Sequence, residues 1–251
     1  MSGFGALFKK EILEQLRTHR LLVVAGIFLF FGLATPLLLK YLPQIIQLSG
    51  EQVPVEIPAP TSPQSLAEFA GTIGQLGILM AVLVAMGMVA NELRQGTAVM
   101  TLSKPVSRAA FVWAKLAAVS ITFVVSLALA SLFCFGYTVW LIGPTTALPF
   151  LQLNLLLALF LVFCLSVTVF FSSFFKSSLP AGGLAIAVLI AQAVLGTVPG
   201  LGNFLPARLL SWGTDLVNGR ETTYWGAIAV TAVLVILCAY LAQRTLKNKE
   251  F

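Results

Sequence analysis

The chain alternates between long apolar stretches and short segments that hold nearly all of its charge. Five stretches lack Asp, Glu, Lys, Arg and His altogether: 21–39, 69–91, 116–175, 177–207 and 222–243. A helix needs about 20 apolar residues to cross the hydrocarbon layer of a bilayer. Residues 116–175 can cross twice, because Gly143 and Pro144 break the run near its middle. The pattern predicts an all-α, polytopic membrane protein with six spans: 21–40, 69–91, 111–141, 150–174, 179–198 and 222–243.

Composition supports this fold class. Hydrophobic residues make up 59% of the 251-residue chain and charged residues only 10%, whereas a soluble domain carries about 25% charged residues. Continuous apolar runs also exclude a transmembrane β-barrel, whose strands are short and alternate in polarity. We therefore expect residues 1–251 to form a single transmembrane domain. Its three cysteines lie inside apolar runs and are expected to be buried free thiols.

The first twenty residues differ from the spans that follow. Phe4, Phe8, Ile12 and Leu16 recur at every fourth position, and charged residues occupy much of the remaining surface. This spacing predicts an amphipathic helix at 3–20 that lies along the membrane interface. Glu11 falls close to the edge of the apolar stripe and makes it imperfect.

Two further segments depart from simple spans. Residues 41–68 contain five prolines and are expected to form an extended connection, with a turn at 42–48. Residues 199–217 are apolar but begin with several helix breakers. Irregular backbone is tolerated at membrane depth only where protein or a water-lined cavity satisfies its hydrogen bonds. We therefore expect 199–217 to be a re-entrant segment on the outer side.

The basic residues predict the orientation. With six spans, twelve Lys and Arg residues fall on one side of the membrane and three on the other. Lys and Arg accumulate on the cytoplasmic side, so both termini are expected to be cytoplasmic. The net charge of +6 then follows from topology and contact with lipid, and it calls for no nucleic-acid partner. The three basic residues on the poorer side are Lys40, Arg208 and Arg220.

The connection between the second and third spans, residues 92–110, is longer than a tight turn requires. Gly96 suits the end of one helix, and Ser107 suits the N-cap of the next. A short helix at 97–102, parallel to the membrane, would fit between them. The sequence therefore predicts a structured loop on the side that is rich in basic residues.

Groups that could carry catalysis, bind a metal or bind a nucleotide are missing from the sequence. The chain has no G-x-x-x-x-G-K-[ST] motif, and His19 is its one histidine. No acidic or basic residue lies at the centre of a predicted span, which disfavours ion-coupled transport. The deepest polar side chains, which could line a pathway or bond between helices, are Gln75, Asn154 and Gln192. We expect no catalytic residue, metal or cofactor on this chain.

The whole pattern resembles the permease subunits of bacterial type-2 ATP-binding-cassette exporters, in which permease and ATPase are separate chains. The resemblance implies a place in the bacterial cytoplasmic membrane. The most specific match lies in the 92–110 loop, where a Glu, a Gly-Thr pair and a Pro-Val-Ser-Arg motif precede the third span. The resemblance implies pairing with a second copy of the chain and docking of two ATPase subunits, which would bind ATP and Mg. It also implies that 97–102 is a coupling helix. The residues that would couple to the ATPase are Glu92, Arg94, Gly96, Thr97, Leu102, Pro105 and Arg108, with the 3–20 helix as a second contact.

The cargo and the exact role stay open at this stage. Walls rich in phenylalanine favour a hydrophobic or amphipathic cargo such as a drug, peptide or lipid. One alternative is a membrane assembly or maturation factor of the same architecture that moves no free solute. Another is an ion-coupled carrier that acts alone, which would need no ATPase.

Overall fold

A computed structural model describes residues 3–48, 59–97 and 107–247, and these residues are almost entirely helical. The helices are α1 (Phe4–Arg17), α2 (Arg20–Leu48), α3 (Ser62–Ala85), α4 (Ala90–Gln95), α5 (Arg108–Leu141), α6 (Ala147–Phe174), α7 (Ser178–Leu195), α8 (Arg208–Val217) and α9 (Trp225–Lys247). A 3₁₀ turn, Leu201–Phe204, precedes α8. The described residues contain no β-strand.

Six of these helices are long and apolar enough to cross a membrane: α2, α3 with its extension into α4, α5, α6, α7 and α9. The prediction of an all-helical polytopic fold with six spans is confirmed. An even number of crossings brings α1, α4, the start of α5 and the end of α9 to one end of the bundle. We call this the basic end. The turn between α5 and α6, the 3₁₀ turn, α8 and the start of α9 form the opposite end, which we call the loop end.

Helix α6 is the centre of the bundle. It contacts α3, α5, α7, α8 and α9, and many of its large side chains, among them Phe160, Leu161 and Leu165, are almost fully buried. Helices α2, α7 and α9 lie at the periphery and expose most of their apolar surface. This is the distribution expected when the surrounding solvent is lipid, because apolar side chains need no burial there.

Helix α2 lies along α5, and one glycine allows their closest approach. A Cβ atom at Gly32 would lie 2.7 Å from the carbonyl oxygen of Ala130 on α5. At Gly26, one and a half turns earlier, a Cβ atom would meet nothing within 4 Å. The two backbones are therefore in contact at Gly32.

The first connection is shorter than predicted. Helix α2 continues through Pro36 and Pro43 to Leu48, and α3 begins at Ser62 rather than at residue 69. Proline is tolerated in membrane helices because neighbouring groups compensate for the missing hydrogen bond. The start of α3 carries its own signal, since the Thr61 side chain accepts a hydrogen bond from the Gln64 amide and a proline lies in the first turn.

The other spans begin within three residues of their predicted first residues. The segment between α7 and α9 is not one continuous helix. Helix α7 ends at Leu195, and the 3₁₀ turn and α8 occupy most of residues 199–217. Gly202 sits where a Cβ atom would lie 2.1 Å from the carbonyl oxygen of Gly196. The chain can therefore fold back on itself here only with glycine at this position.

Candidate coupling site at the basic end

A buried lysine joins three separate segments at the basic end. Lys115 lies in the second turn of α5 with 2% of its side chain exposed, and its Nζ atom is 2.9 Å from Glu11 Oε1 and 2.8 Å from Glu92 Oε1. Glu11 belongs to α1, and Glu92 belongs to α4. One cation therefore ties the interfacial helix and the start of the predicted coupling loop to the third span. We call these three residues the Lys115 cluster.

A second lysine contacts the same carboxylates from the surface. Lys10 Nζ lies 3.3 Å from Glu11, 3.5 Å from Glu14 and 3.5 Å from Glu92. Partial burial alone would lower the pKa of Lys10, but the negative charges of Glu11, Glu92 and Glu14 together outweigh it and raise the pKa. Lys10 therefore stays charged, and the carboxylates of the cluster have cations on both sides.

Helix α1 contacts α5 through its polar residues. Leu7, Glu11 and Gln15 form its buried face, and the Thr122 hydroxyl on α5 donates to Gln15 Oε1 at 2.6 Å. Leu13 and Leu16, on the apolar side, are 42% and 46% exposed. Glu11, at the edge of the apolar stripe, thus contacts α5, and the first two residues of the stripe, Phe4 and Phe8, pack partly against the core.

A serine on α6 positions α4. Between α3 and α4 the helical ladder is interrupted at residues 86–89. Ser172 Oγ accepts from the amides of Val89 and Ala90, each at 3.0 Å, and donates to the Met86 carbonyl at 2.8 Å. These bonds satisfy backbone groups that the break would leave unpaired, and they fix the direction in which α4 carries Glu92 toward Lys115.

Of the remaining predicted coupling residues that the structure describes, some are exposed at the basic end and others bond to neighbouring backbone. Arg94 is exposed, whereas the Arg108 guanidinium donates to the carbonyl of Leu246 and so joins the start of α5 to the end of α9. Gly96 ends α4 with a positive φ of 71°, and the Thr97 hydroxyl donates to the Glu92 carbonyl at 3.4 Å. Leu102 and Pro105, together with residues 98–101 of the predicted coupling helix, lie outside the described residues.

Comparison with known proteins identifies the family. Residues 5–207, which include α1, the Lys115 cluster and the first five spans, match the family described as "ABC-2 family transporter protein". The chain belongs to this family. It is also similar to an uncharacterized transmembrane protein, YxlG, of Bacillus subtilis (strain 168), with 24% identity over 243 residues that cover 94% of each chain. The protein is therefore a multi-pass membrane component of an ABC-2 transporter.

The three predicted pathway residues of this ABC-2 protein lie at separate places in the chain and do not line a common surface. Gln75 is exposed on α3. Asn154 Nδ2 donates to the Phe150 carbonyl at 2.8 Å and its Oδ1 accepts from the Ser131 hydroxyl, at the side of an apolar groove of about 730 Å³ between α5 and α6. Gln192 is buried and accepts from the Ala207 amide at 3.2 Å. Asn154 and Gln192 thus have structural hydrogen bonds, and Gln75 is the one that faces outward.

The carboxylates of Glu11, Glu14 and Glu92 lie close enough to one another to hold a metal ion. Lys10 and Lys115 already contact these carboxylates, so their negative charge is largely neutralised without a metal. A cavity of about 160 Å³ beside the cluster is lined by Arg20 as well. The arrangement is that of an ion-pair network that joins helices, and its chemistry is structural.

Proposed function

We propose that this chain is the permease subunit of an ATP-driven exporter, in which two copies form the translocation path and two separate ATPase subunits dock at the basic end. In this arrangement both termini face the cytoplasm of a bacterial cell, and ATP and Mg bind to the partner subunits. Membership of the ABC-2 transporter family supports the proposal. The observation that carries it is the Lys115 cluster, because it links the segment where an ATPase would push to a membrane-spanning helix.

The cluster provides a route for force. The exposed end of α4 leads directly into residues 97–102, the proposed coupling helix, and α4 also carries Glu92. A movement of this helix is transmitted through Glu92 to Lys115 on α5, and through Lys115 to Glu11 on α1. Since α5 runs unbroken from Arg108 to Leu141, a displacement at the basic end reaches the loop end of the bundle.

The proposed cargo is hydrophobic or amphipathic. The surfaces that a second copy could face are apolar, and α3 adds few polar groups to them: Gln64, Glu68 and Gln75 are exposed at positions four or seven residues apart on one side of the helix. A path lined by this face would offer one acidic residue, Glu68, in its outermost turns. Such a wall suits a drug, peptide or lipid better than an inorganic ion or a sugar.

The proposal is tested by purifying the tagged chain from its native membrane together with the cassette ATPase that accompanies it. ATP hydrolysis and complex formation are then measured for the wild type and for a variant in which 97–102 is a neutral Gly-Ser linker. We expect the linker variant to lose assembly or to change the hydrolysis rate about fivefold or more. The coupling role is wrong if both quantities are unchanged, and the permease assignment is wrong if no cassette ATPase accompanies the chain.

Lys115→Met separates coupling from docking in the same assay. It leaves the exposed face of α4 intact, so the ATPase is expected to bind while its hydrolysis no longer responds to the permease. Lys10→Met is the matched control, because Lys10 contacts the same carboxylates from the surface and is 47% exposed. Equal effects of the two substitutions would argue against transmission through Lys115.

A further inference from the structure

Two arginines at the loop end, Arg208 and Arg220, differ in whether they form an ion pair with a carboxylate. Arg220 lies 3.1 Å from Asp215 and is 73% exposed. Arg208, in the first turn of α8, has no carboxylate at ion-pair distance among the described residues. Its guanidinium instead donates to the Tyr224 hydroxyl and lies 4.2 Å above the Tyr224 ring. Among the described residues, this positive charge therefore has no neutralising anion.

Two hydrogen-bond donors in the same place also have no acceptor. Arg208 Nε and Trp212 Nε1 are both buried and unpartnered, and Trp212, one turn after Arg208, is only 5% exposed. The Trp212 ring lies 6.1 Å from that of Tyr224 and 5.8 Å from that of Trp225. Burying an unmade donor costs free energy, so a site of this composition favours an added acceptor.

The level of Arg208 and Trp212 relative to the membrane indicates which hydrogen-bond acceptors are near them. Trp and Tyr concentrate at the level of lipid headgroups, and at the loop end Trp140 and Trp225 are 74% and 70% exposed on the bundle surface. Arg208 contacts Tyr224, the residue before Trp225, so its guanidinium lies at this level. Phosphate oxygens are the abundant anionic acceptors there, and guanidinium binds phosphate through several parallel N–H donors.

We propose that Arg208 and Trp212, supported by Tyr224, form a binding site for the phosphate group of an anionic lipid headgroup. The guanidinium supplies the charge, and Arg208 Nε and Trp212 Nε1 supply donors that are otherwise unused. Both nitrogens are covered by neighbouring atoms, so a phosphate oxygen reaches them only when the Arg208 side chain shifts on the Tyr224 ring. Binding is therefore expected to change the fluorescence of Trp212 and Trp225. The site is independent of the basic end and of any ATPase.

The test is a titration of the full purified chain in detergent, followed by tryptophan fluorescence and by native mass spectrometry. The probes are dioctanoyl phosphatidylglycerol, dioctanoylglycerol, which lacks the phosphate, and inorganic phosphate. We expect saturable binding of phosphatidylglycerol and none of dioctanoylglycerol. Saturation by inorganic phosphate that depends on Arg208 would support the phosphate site but assign it to a free anion rather than a lipid. Equal binding of both lipids would overturn the proposal.

Variants assign the binding to named atoms. Arg208→Gln is expected to weaken phosphatidylglycerol binding by about tenfold or more, and Trp212→Phe, which keeps the ring size but removes the donor, by about three- to tenfold. Arg220→Gln is the matched control, because it removes the same charge from the same end and is expected to leave the affinity unchanged. If Arg208→Gln does not fold, Trp212→Phe and Arg208→Lys carry the test. Wild-type affinity in Trp212→Phe, or equal losses in Arg208→Gln and Arg220→Gln, would overturn the assignment.

Discussion

The two ends of the bundle handle their charged side chains in opposite ways. At the basic end, Lys115 is buried between two carboxylates that come from different helices. Among the described residues of the loop end, Asp215 and Arg220 form an ion pair five residues apart, with one of them mostly exposed, while Arg208 contacts the neutral side chain of Tyr224. Ion pairs thus join separate helices at the basic end, whereas the ion pair that the structure describes at the loop end joins residues of one segment.

This difference in ion pairing indicates which end of the bundle moves as a unit. A buried ion pair between helices resists separation, since breaking it leaves an uncompensated charge in a region of low dielectric. An exposed pair within one segment is screened by water and adds little. We therefore expect α1, α4 and α5 to respond together at the basic end, and the segment from the 3₁₀ turn through α8 to respond more freely at the loop end.

The largest expected effect comes from removing the buried cation. Lys115→Met leaves Glu11 and Glu92 facing each other with only the half-exposed Lys10 as a shared partner, and we expect a loss of about 3–5 kcal/mol in the free energy of unfolding. Unfolding in mixed micelles, followed by circular dichroism, measures the loss. Lys10→Met, at a site that is 47% exposed, is expected to cost about 0–1 kcal/mol.

A triple variant makes this comparison sharper. Combining Glu11→Gln, Glu92→Gln and Lys115→Met removes the whole cluster and leaves no unpaired charge, so most of the lost stability is expected to return. Recovery would show that the cost in Lys115→Met comes from carboxylates that have lost their buried cation. If Lys115→Met instead costs no more than Lys10→Met, the two ends do not differ in the way argued above.

The next effect concerns the hydroxyl that directs α4 toward this cluster. Ser172→Ala removes the acceptor shared by the buried amides of Val89 and Ala90, and we expect a loss of about 1–3 kcal/mol. Hydrogen exchange at these two amides should accelerate. Ser126→Ala is the control, because the Ser126 hydroxyl bonds only to a carbonyl of its own helix, so a similar loss in both variants would contradict a special role for Ser172.

Much of the fold could be predicted from the sequence because the bilayer imposes it. A span must be apolar over about 20 residues, and that requirement alone locates six helices. A proline of α2 misled the prediction: Pro43 was counted among the five prolines of an extended connection, whereas the helix continues through it to Leu48. Neighbouring groups decide whether a proline ends a membrane helix, and the sequence does not show which groups those are.

The site was harder to predict than the fold. Lys115 and Glu11 are 104 positions apart, so no local periodicity connects them, and Ser172 reaches Val89 across 83 positions. Two signals did exist. Lys115 falls inside the predicted span 111–141, where a cation needs a partner, and Glu11 interrupts an otherwise regular apolar stripe. Together they indicate a buried ion pair at one end, but neither signal identifies Glu92 as the second carboxylate.

The smallest expected effect tests the loop end. Asp215 and Arg220 form an exposed pair, so a double-mutant cycle with Asp215→Asn and Arg220→Gln is expected to give a coupling energy of about 0–1 kcal/mol. The value should fall further when salt is raised, because exposed charges are screened over about 10 Å at 0.1 M. Asp215→Asn alone is expected to cost more than Arg220→Gln, since Asp215 also contacts the Thr222 hydroxyl at 3.5 Å. The same cycle on Lys115 and Glu92 should give a larger coupling that salt hardly changes. If both cycles gave equal energies with equal salt dependence, the loop end would be held by charge as firmly as the basic end, and the freer response expected of α8 would have no physical basis.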